Sequence, residues 1–319
     1  MKIGDTMINI YKTNEENKII KLESIERNSW INLIAPTAEE IKEVVEATGF
    51  DEELMIKLLD EEEFPRVEVG DNATLIVMDV PYIEDKRQKN KYNTIPVGIL
   101  VGNNDYVVTI STHKTEIFND FFNGKIKNLY TSKKSRFIIL LSYKISLLYI
   151  RYLRLIDKEI EKKEDVLSKT TDNDELISLL SVEKSLVYFI TALKANDVIL
   201  EKFSKGNIIT LFEEDLDLLD DAMIENKQGI EMASIYNKIL SSTSETYGTI
   251  ISNNLNGVMK FLASITIVFY IPTIIFSFLG MNISLGDIST HPLAAFIIAF
   301  IALIISLIAV ILLKRRKLL

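Results

Sequence analysis

The chain has no cysteine among its 319 residues, so disulfides, thiol catalysis and thiolate metal sites are excluded. Its two histidines, His113 and His291, lie far apart with no ligand spacing around them, which argues against a zinc-hydrolase site. Proline is missing between Pro96 and Pro272, and glycine is scarce from Lys133 onward, so this stretch lacks the usual helix breakers. No loop has phosphate-cradling spacing. Gly280 and Gly286 stand one residue too far apart, and no lysine follows Gly286, which argues against ATP hydrolysis. No constellation of nucleophile, acid and base suggests an enzyme. The first residues, MKIGDTMINIYKTNEENK, contain no apolar core of signal-peptide length and are expected to stay in the cytoplasm.

Charge is missing where it matters most. The formal net charge is -9, yet Phe261 to Leu279 carries no charged residue, and a second apolar run extends from Leu293 to Leu313. Each run approaches the ~20 residues that a helix needs to cross a bilayer core. The alternative for either is a buried core helix. The loop between them, Gly280 to Pro292, has no Lys or Arg, whereas Lys260 precedes the first run and Lys314-Arg315-Arg316-Lys317 follows the second. The positive-inside rule then places both ends of the hairpin in the cytoplasm and the loop outside, in a multi-pass protein of the cell membrane. The acidic excess lies before Asn256. An acidic surface repels nucleic acid and attracts cations, so no nucleic-acid partner is expected.

Residues 7 to 11 (MINIY) and 30 to 34 (WINLI) read as strands. Thr37 and Glu40 form a capping-box pattern for a helix that Gly49 ends after Thr48. Asp51 caps a short helix with Leu54, Leu58 and Leu59 on one side, and Glu61 to Arg66 breaks the pattern. Strand-like runs follow at Ala73 to Val80, Thr94 to Val101 and Tyr106 to Ile110, with turn residues at Gly70-Asp71-Asn72 and Gly102 to Asp105. This mixture predicts an α/β domain over residues 1–125.

Helical spacing then takes over. Phe137, Leu140, Leu141, Leu147, Leu148, Leu155, Ile156 and Ile160 mark one helix. A turn at Thr171 to Asp174 leads to a second, with Leu176, Leu179, Leu180, Leu186, Phe189, Leu193, Val198 and Leu200. After Lys205-Gly206-Asn207, the segment from Leu211 to Leu279 reads as one helix about 100 Å long. A helix of that length protrudes from its domain and needs partners for its apolar face, which points to self-association. The expected fold class is α+β, mainly α: the N-terminal α/β domain, a helical region and stalk helix over 126–257, and a transmembrane hairpin with a basic tail over 258–319.

Gly280-Met281-Asn282 closes the first apolar run, Asn256-Gly257-Val258-Met259-Lys260 precedes it, and KRRKLL ends the chain. In this arrangement the chain resembles the CorA family of magnesium channels and transporters, whose Gly-Met-Asn signature ends the first of two membrane helices. Trp30-Ile31-Asn32-Leu33, Pro36-Thr37, Glu40 and Phe64-Pro65-Arg66-Val67-Glu68 agree at lower specificity. The resemblance implies a homopentamer in membrane lipid. Five copies of the first span would line a pore for Mg²⁺, and for Co²⁺ or Ni²⁺, with these ions as substrates and no further cofactor.

Under that resemblance Gly280, Met281 and Asn282 form the selectivity filter. Mg²⁺ sheds its waters reluctantly, so a ring of Asn282 carbonyls suits the hydrated ion. Gly280 would ease the turn at the helix end, and Met281 would fix the loop. The same three residues also read as an ordinary helix stop. Asn256, Met259, Leu262, Thr266, Tyr270 and Ser277 fall near one helical face and are the expected pore lining. Met259 and Leu262 would form an apolar constriction, or pack against the second span. The Tyr270 hydroxyl could instead serve a neighbouring helix. Pro272 frees the carbonyl of Val268, so a kink or an exposed carbonyl is expected.

The resemblance also implies closure by intracellular Mg²⁺ at acidic sites between cytosolic domains. Asp221 matches the family's stalk carboxylate, but Lys57 stands at the partner position, where it would favour a salt bridge with Asp221. Asp60 or Glu61 is then the expected substitute ligand, the alternative being a solvated acidic face. Two other readings compete with the Mg²⁺ channel: a zinc transporter of the same superfamily, and a membrane-anchored scaffold with no ion flux.

Overall fold

The computed structural model describes residues 8–83, 92–102, 105–167, 173–206, 208–281, 293–316 and 318. The chain divides into two compact units, Met1–Ser244 and Glu245–Leu319.

The first unit is built on a seven-stranded sheet. Its strands are β1 (Ile8–Thr13), β2 (Ile19–Leu22), β3 (Trp30–Ile34), β4 (Arg66–Val69), β5 (Ala73–Ile83), β6 (Tyr92–Gly102) and β7 (Val107–Ser111). They lie in the order β2-β1-β3-β7-β6-β5-β4. Only β3 and β7 run parallel, with Ile31 opposite Val108. β2 and β4 were not expected from the sequence. Both are four-residue edge strands with exposed positions, so neither shows a buried alternation.

Two helices cover one face. In α1 (Ala38–Thr48) the capping box between Thr37 and Glu40 is formed, and Gly49 ends the helix with φ 72°. In α2 (Glu52–Lys57) the Asp51 side chain accepts from the Glu53 N–H. Leu58, directly after α2, is fully buried with Ile31, Leu33, Leu75, Val77 and Leu100. Its methyl groups occupy the space that a Cβ on Gly98 would need, so β6 carries glycine there.

The other face carries Trp30, which is surrounded by Tyr11, Phe118, Phe121, Phe122 and Phe137. Its indole N–H donates to Thr109 Oγ1 at 2.8 Å, and that hydroxyl donates to Asn32 Oδ1 at 2.8 Å. A buried Trp thus keeps its polar edge satisfied. A 3₁₀ turn (Glu116–Phe118) and α3 (Asn119–Phe122) supply Phe118, Phe121 and Phe122. Then come α4 (Lys134–Leu167) and α5 (Asn173–Ser204). Leu155, Leu180 and Val198, which helical spacing assigned to apolar faces, are exposed. Burial on α4 instead reaches two sides. Ser142 donates to Met78 on the sheet, while Ser146 donates to the Ala222 carbonyl on the following helix.

That helix, α6 (Glu213–Leu279), is 67 residues long, about 100 Å. In the first unit it buries Leu219, Ala222, Asn226, Ala233 and Leu240. Gly229 lets Leu193 of α5 approach: a Cβ there would meet its methyl carbon at 3.2 Å. The start of α6 is held by a buried ion pair from Arg136 to Asp215 at 2.5 Å and an exposed one from Lys133 to Glu214 at 2.6 Å. Lys133 holds the Glu214 carboxyl below its ordinary range.

The second unit contains the rest of α6 and α7 (Ala294–Arg315). Both are long and apolar enough to cross a membrane, and little of either apolar stretch is buried within the chain. Pro272 sits inside α6, which continues as helix through it.

Candidate pore helix and regulatory residues

One side of the apolar part of α6 faces α7. Ser264 is buried there, and Val268, Ile271, Pro272, Ile275 and Leu279 are half-buried. Ile274, Ile275 and Phe278 of α6 and Ile298, Ile301 and Ile305 of α7 line an apolar cleft of about 440 Å³. The opposite side is uncovered. Asn256, Met259, Leu262, Thr266, Tyr270 and Ser277 are all exposed and fall on it. At ~100° per residue their mean direction is about 180° from that of the α7-facing set. Met259 and Leu262 are each 58% exposed, so within one chain they do not pack against the second apolar helix.

Spacing alone left out a polar residue, Thr273, that falls on that face. Thr273 is exposed, seven residues after Thr266 and four before Ser277, and belongs to the same stripe. Its hydroxyl donates to the Phe269 carbonyl and that of Thr266 to the Leu262 carbonyl, each at 2.8 Å. Both threonines satisfy their donors within the helix, which leaves oxygen lone pairs on the uncovered face.

α6 ends at Leu279. The Gly280 N–H bonds the Phe276 carbonyl at 2.9 Å, and that of Met281 the Phe278 carbonyl at 3.3 Å. The turn expected of Gly280 is not the left-handed one. Its φ is not positive, and a Cβ there would make ordinary contact at 3.4 Å with the Phe276 carbonyl oxygen. Met281 is 55% exposed within one chain. Asn282 lies outside the described residues.

The residues expected to sense Mg²⁺ are not gathered within one chain. Asp60 is exposed and accepts from the Glu62 N–H at 2.9 Å. A Glu61 carboxylate oxygen lies 3.5 Å from His113 Nδ1. Asp221 is exposed on α6, where it and Glu225 add to burial in raising the Tyr143 phenol. Lys57 pairs with Glu53 at 3.0 Å, not with Asp221. Among the described residues no group of three or more His, Cys, Asp or Glu is placed to hold a metal ion.

A stalk helix that loses its charge and becomes an apolar span, followed by a second apolar helix, is the build of a two-span membrane protein. The chain belongs to the family described as CorA-like Mg²⁺ transporter protein, whose pattern matches residues 26–316. This is a transporter family, not an enzyme family. The chain is 27% identical over 295 residues, 90% of each protein, to the cobalt/magnesium transport protein CorA of Methanocaldococcus jannaschii. Its fold matches the complete structure of the CorA magnesium transporter of that organism with a TM-score of 0.85 and 23% identity, covering 98% of this chain and 99% of the other. It also matches the soluble domain of that CorA with a TM-score of 0.67 and 25% identity, covering 76% of this chain and 97% of the other.

Proposed function

We propose that this protein is a homopentameric channel of the cell membrane for uptake of Mg²⁺, and of Co²⁺ or Ni²⁺, with both termini in the cytoplasm. The observation that carries the reading is the uncovered face of α6. It bears Asn256, Thr266, Tyr270, Thr273 and Ser277 on a helix otherwise apolar enough to span a membrane, and it lies opposite the side that α7 covers. Polar side chains on an apolar span avoid lipid by facing a bundle interior or water. Five such faces around an axis would make a water-filled path with Met259 and Leu262 as its inner apolar constriction.

Gly280, Met281 and Asn282 form the outer filter, with the Asn282 carbonyls hydrogen-bonding the first-shell waters of Mg²⁺. No carboxylate stands in the span, so the ion is held by neutral oxygens and keeps its hydration. An inside-negative potential drives a divalent cation inward with roughly 4.6 kcal/mol per 100 mV, twice the single-charge value. Intracellular Mg²⁺ closes the channel by bridging Asp221 of one chain to Asp60 or Glu61 of the next, which fits their exposure and their separation from any metal group within one chain.

The test is Mg²⁺ entry into proteoliposomes loaded with a Mg²⁺ dye under an inside-negative potential, with wild type and Asn282→Ala side by side. Entry in wild type and little in the variant is expected. Equal entry in both removes the filter assignment. No Mg²⁺ entry in either, with Zn²⁺ entry in its place, selects the zinc transporter; no entry of any ion from inserted protein selects the scaffold.

A further inference from the structure

Ser264 is 2% exposed, and its hydroxyl donates to the backbone carbonyl of Leu318 at 2.8 Å. It lies on α6 one turn after Lys260 and two residues after Leu262, on the α7-facing side. Thr266 and Thr273 of the same span behave differently, each donating to the carbonyl four residues back in its own helix. That is the usual recourse of a hydroxyl in an apolar helix. Ser264 reaches across to another segment instead. Leu318 is itself tied to the end of α7: Arg316 N–H donates to the carbonyls of Leu312 and Leu313, and Leu318 N–H to that of Leu313, all at 3.1 Å. Hydrogen bonds of this spacing reverse a chain at a helix end and fix where it goes next. The Leu318 carbonyl is therefore aimed, and its partner is a buried serine.

We infer that Ser264 and Leu318 form a clasp between the segment after α7 and the inner end of the pore helix, and that its closing and release bias the Met259–Leu262 constriction. The inference rests on the pore reading of α6 given above. Two arrangements use the same serine donor. In the clasped one it bonds Leu318. In the released one it bonds the Lys260 carbonyl, four residues back, as its neighbouring threonines do, and the Leu318 carbonyl is hydrated. Exchanging one hydrogen bond for another costs little, so a small differential interaction elsewhere can shift the balance. The two arrangements differ in shape, because a hydroxyl bonded to its own helix at that spacing bends the helix. The bend would fall between Lys260 and Ser264, in the turn that follows Met259 and holds Leu262. Ser264 itself faces away from the ion path, so it is a positioning residue.

The experiment compares wild type, Ser264→Ala and Ser264→Thr in two assays. One is Mg²⁺ entry into proteoliposomes as a function of internal Mg²⁺. The other is the rate at which trypsin cuts at Lys314, Arg315 and Arg316 in the detergent-solubilised full chain. Alanine leaves the Leu318 carbonyl without its donor in the clasped arrangement, a cost that the released arrangement does not carry because that carbonyl is then hydrated, whereas threonine keeps the donor. We expect Ser264→Ala to move the half-blocking internal Mg²⁺ by about fivefold, the weight of one hydrogen bond, and to speed tryptic cleavage by a similar factor. Ser264→Thr should stay near wild type in both. Wild-type values for Ser264→Ala in both assays overturn the clasp, as does Ser264→Thr shifting as far as Ser264→Ala. Wild-type protein that carries no Mg²⁺ defeats the pore reading instead, and the cleavage rates then decide the clasp alone.

Discussion

Asn196 on α5 hydrogen-bonds both backbone groups of Asp79 on β5. Its Oδ1 accepts from the Asp79 N–H at 3.0 Å, and its Nδ2 donates to the Asp79 carbonyl at 2.8 Å. The side chain acts as a missing strand. β4 pairs with β5 only as far as Val77, so beyond that point this edge of β5 has no paired strand among the described residues. Across the sheet Asp79 faces Pro96, which has no N–H to give. Pro96 fits because its nitrogen points to the far side of β6, where β7 pairing begins one residue later at Val97. Tyr149 adds a second donor to the Asp79 carbonyl at 3.2 Å.

Replacing Asn196 with alanine strips a buried N–H of its acceptor and a carbonyl of one donor. The expected loss is about 2–4 kcal/mol. Trp30 is the only tryptophan and is fully buried against the sheet, so its fluorescence reports this unit directly. The urea midpoint read from Trp30 should fall in Asn196→Ala. An unchanged midpoint would mean that water replaces the amide without loss.

The Asp79 carboxyl is pushed up to about 7 by burial. In the unfolded chain it titrates near 4. Between about pH 4 and pH 7 the folded state therefore binds more protons than the unfolded one, and stability falls as pH rises. Above 7 this contribution levels off at a cost on the order of 4 kcal/mol. Asp79→Asn keeps the shape and removes the charge. It should raise the Trp30 urea midpoint at pH 8 and leave it nearly unchanged at pH 4. A variant with the wild-type difference between the two pH values would place the titration elsewhere.

Signals local in sequence were legible, and those that depend on distant partners were not. The Thr37 capping box, Gly49 and the Asp51 cap each involve neighbours within a few residues, and each is present as read. β3 occupies the expected span because all its positions but the last are buried. β5 continues to Ile83, past the expected end at Val80, because Pro81 sits on the edge that β4 has already left. The stripe from Asn256 to Ser277 could be drawn from spacing, yet which side of α6 meets α7 required the packed pair. Asn196 with Asp79 and Ser264 with Leu318 join residues 117 and 54 positions apart, and no periodicity announces such pairs.

The two sides of α6 make separable predictions. Met259 and Leu262 lie on the uncovered side, whereas Ile275 is half-buried in the cleft against α7. If five copies of the uncovered side surround the ion path, a serine at 259 or 262 wets an apolar constriction that otherwise excludes ions by dewetting. Lowering that barrier by about 1.4 kcal/mol raises resting Mg²⁺ entry roughly tenfold. If internal Mg²⁺ closes the channel as proposed, the increase should be largest at high internal Mg²⁺. Ile275→Ser instead puts a hydroxyl into an apolar contact and should lower the thermal stability of the hairpin while leaving entry per folded channel near wild type. The measurement is dye-reported Mg²⁺ entry for Met259→Ser, Leu262→Ser and Ile275→Ser, normalised to inserted protein. Raised entry from Ile275→Ser with none from the other two would turn the helix around and put the α7-facing side on the ion path.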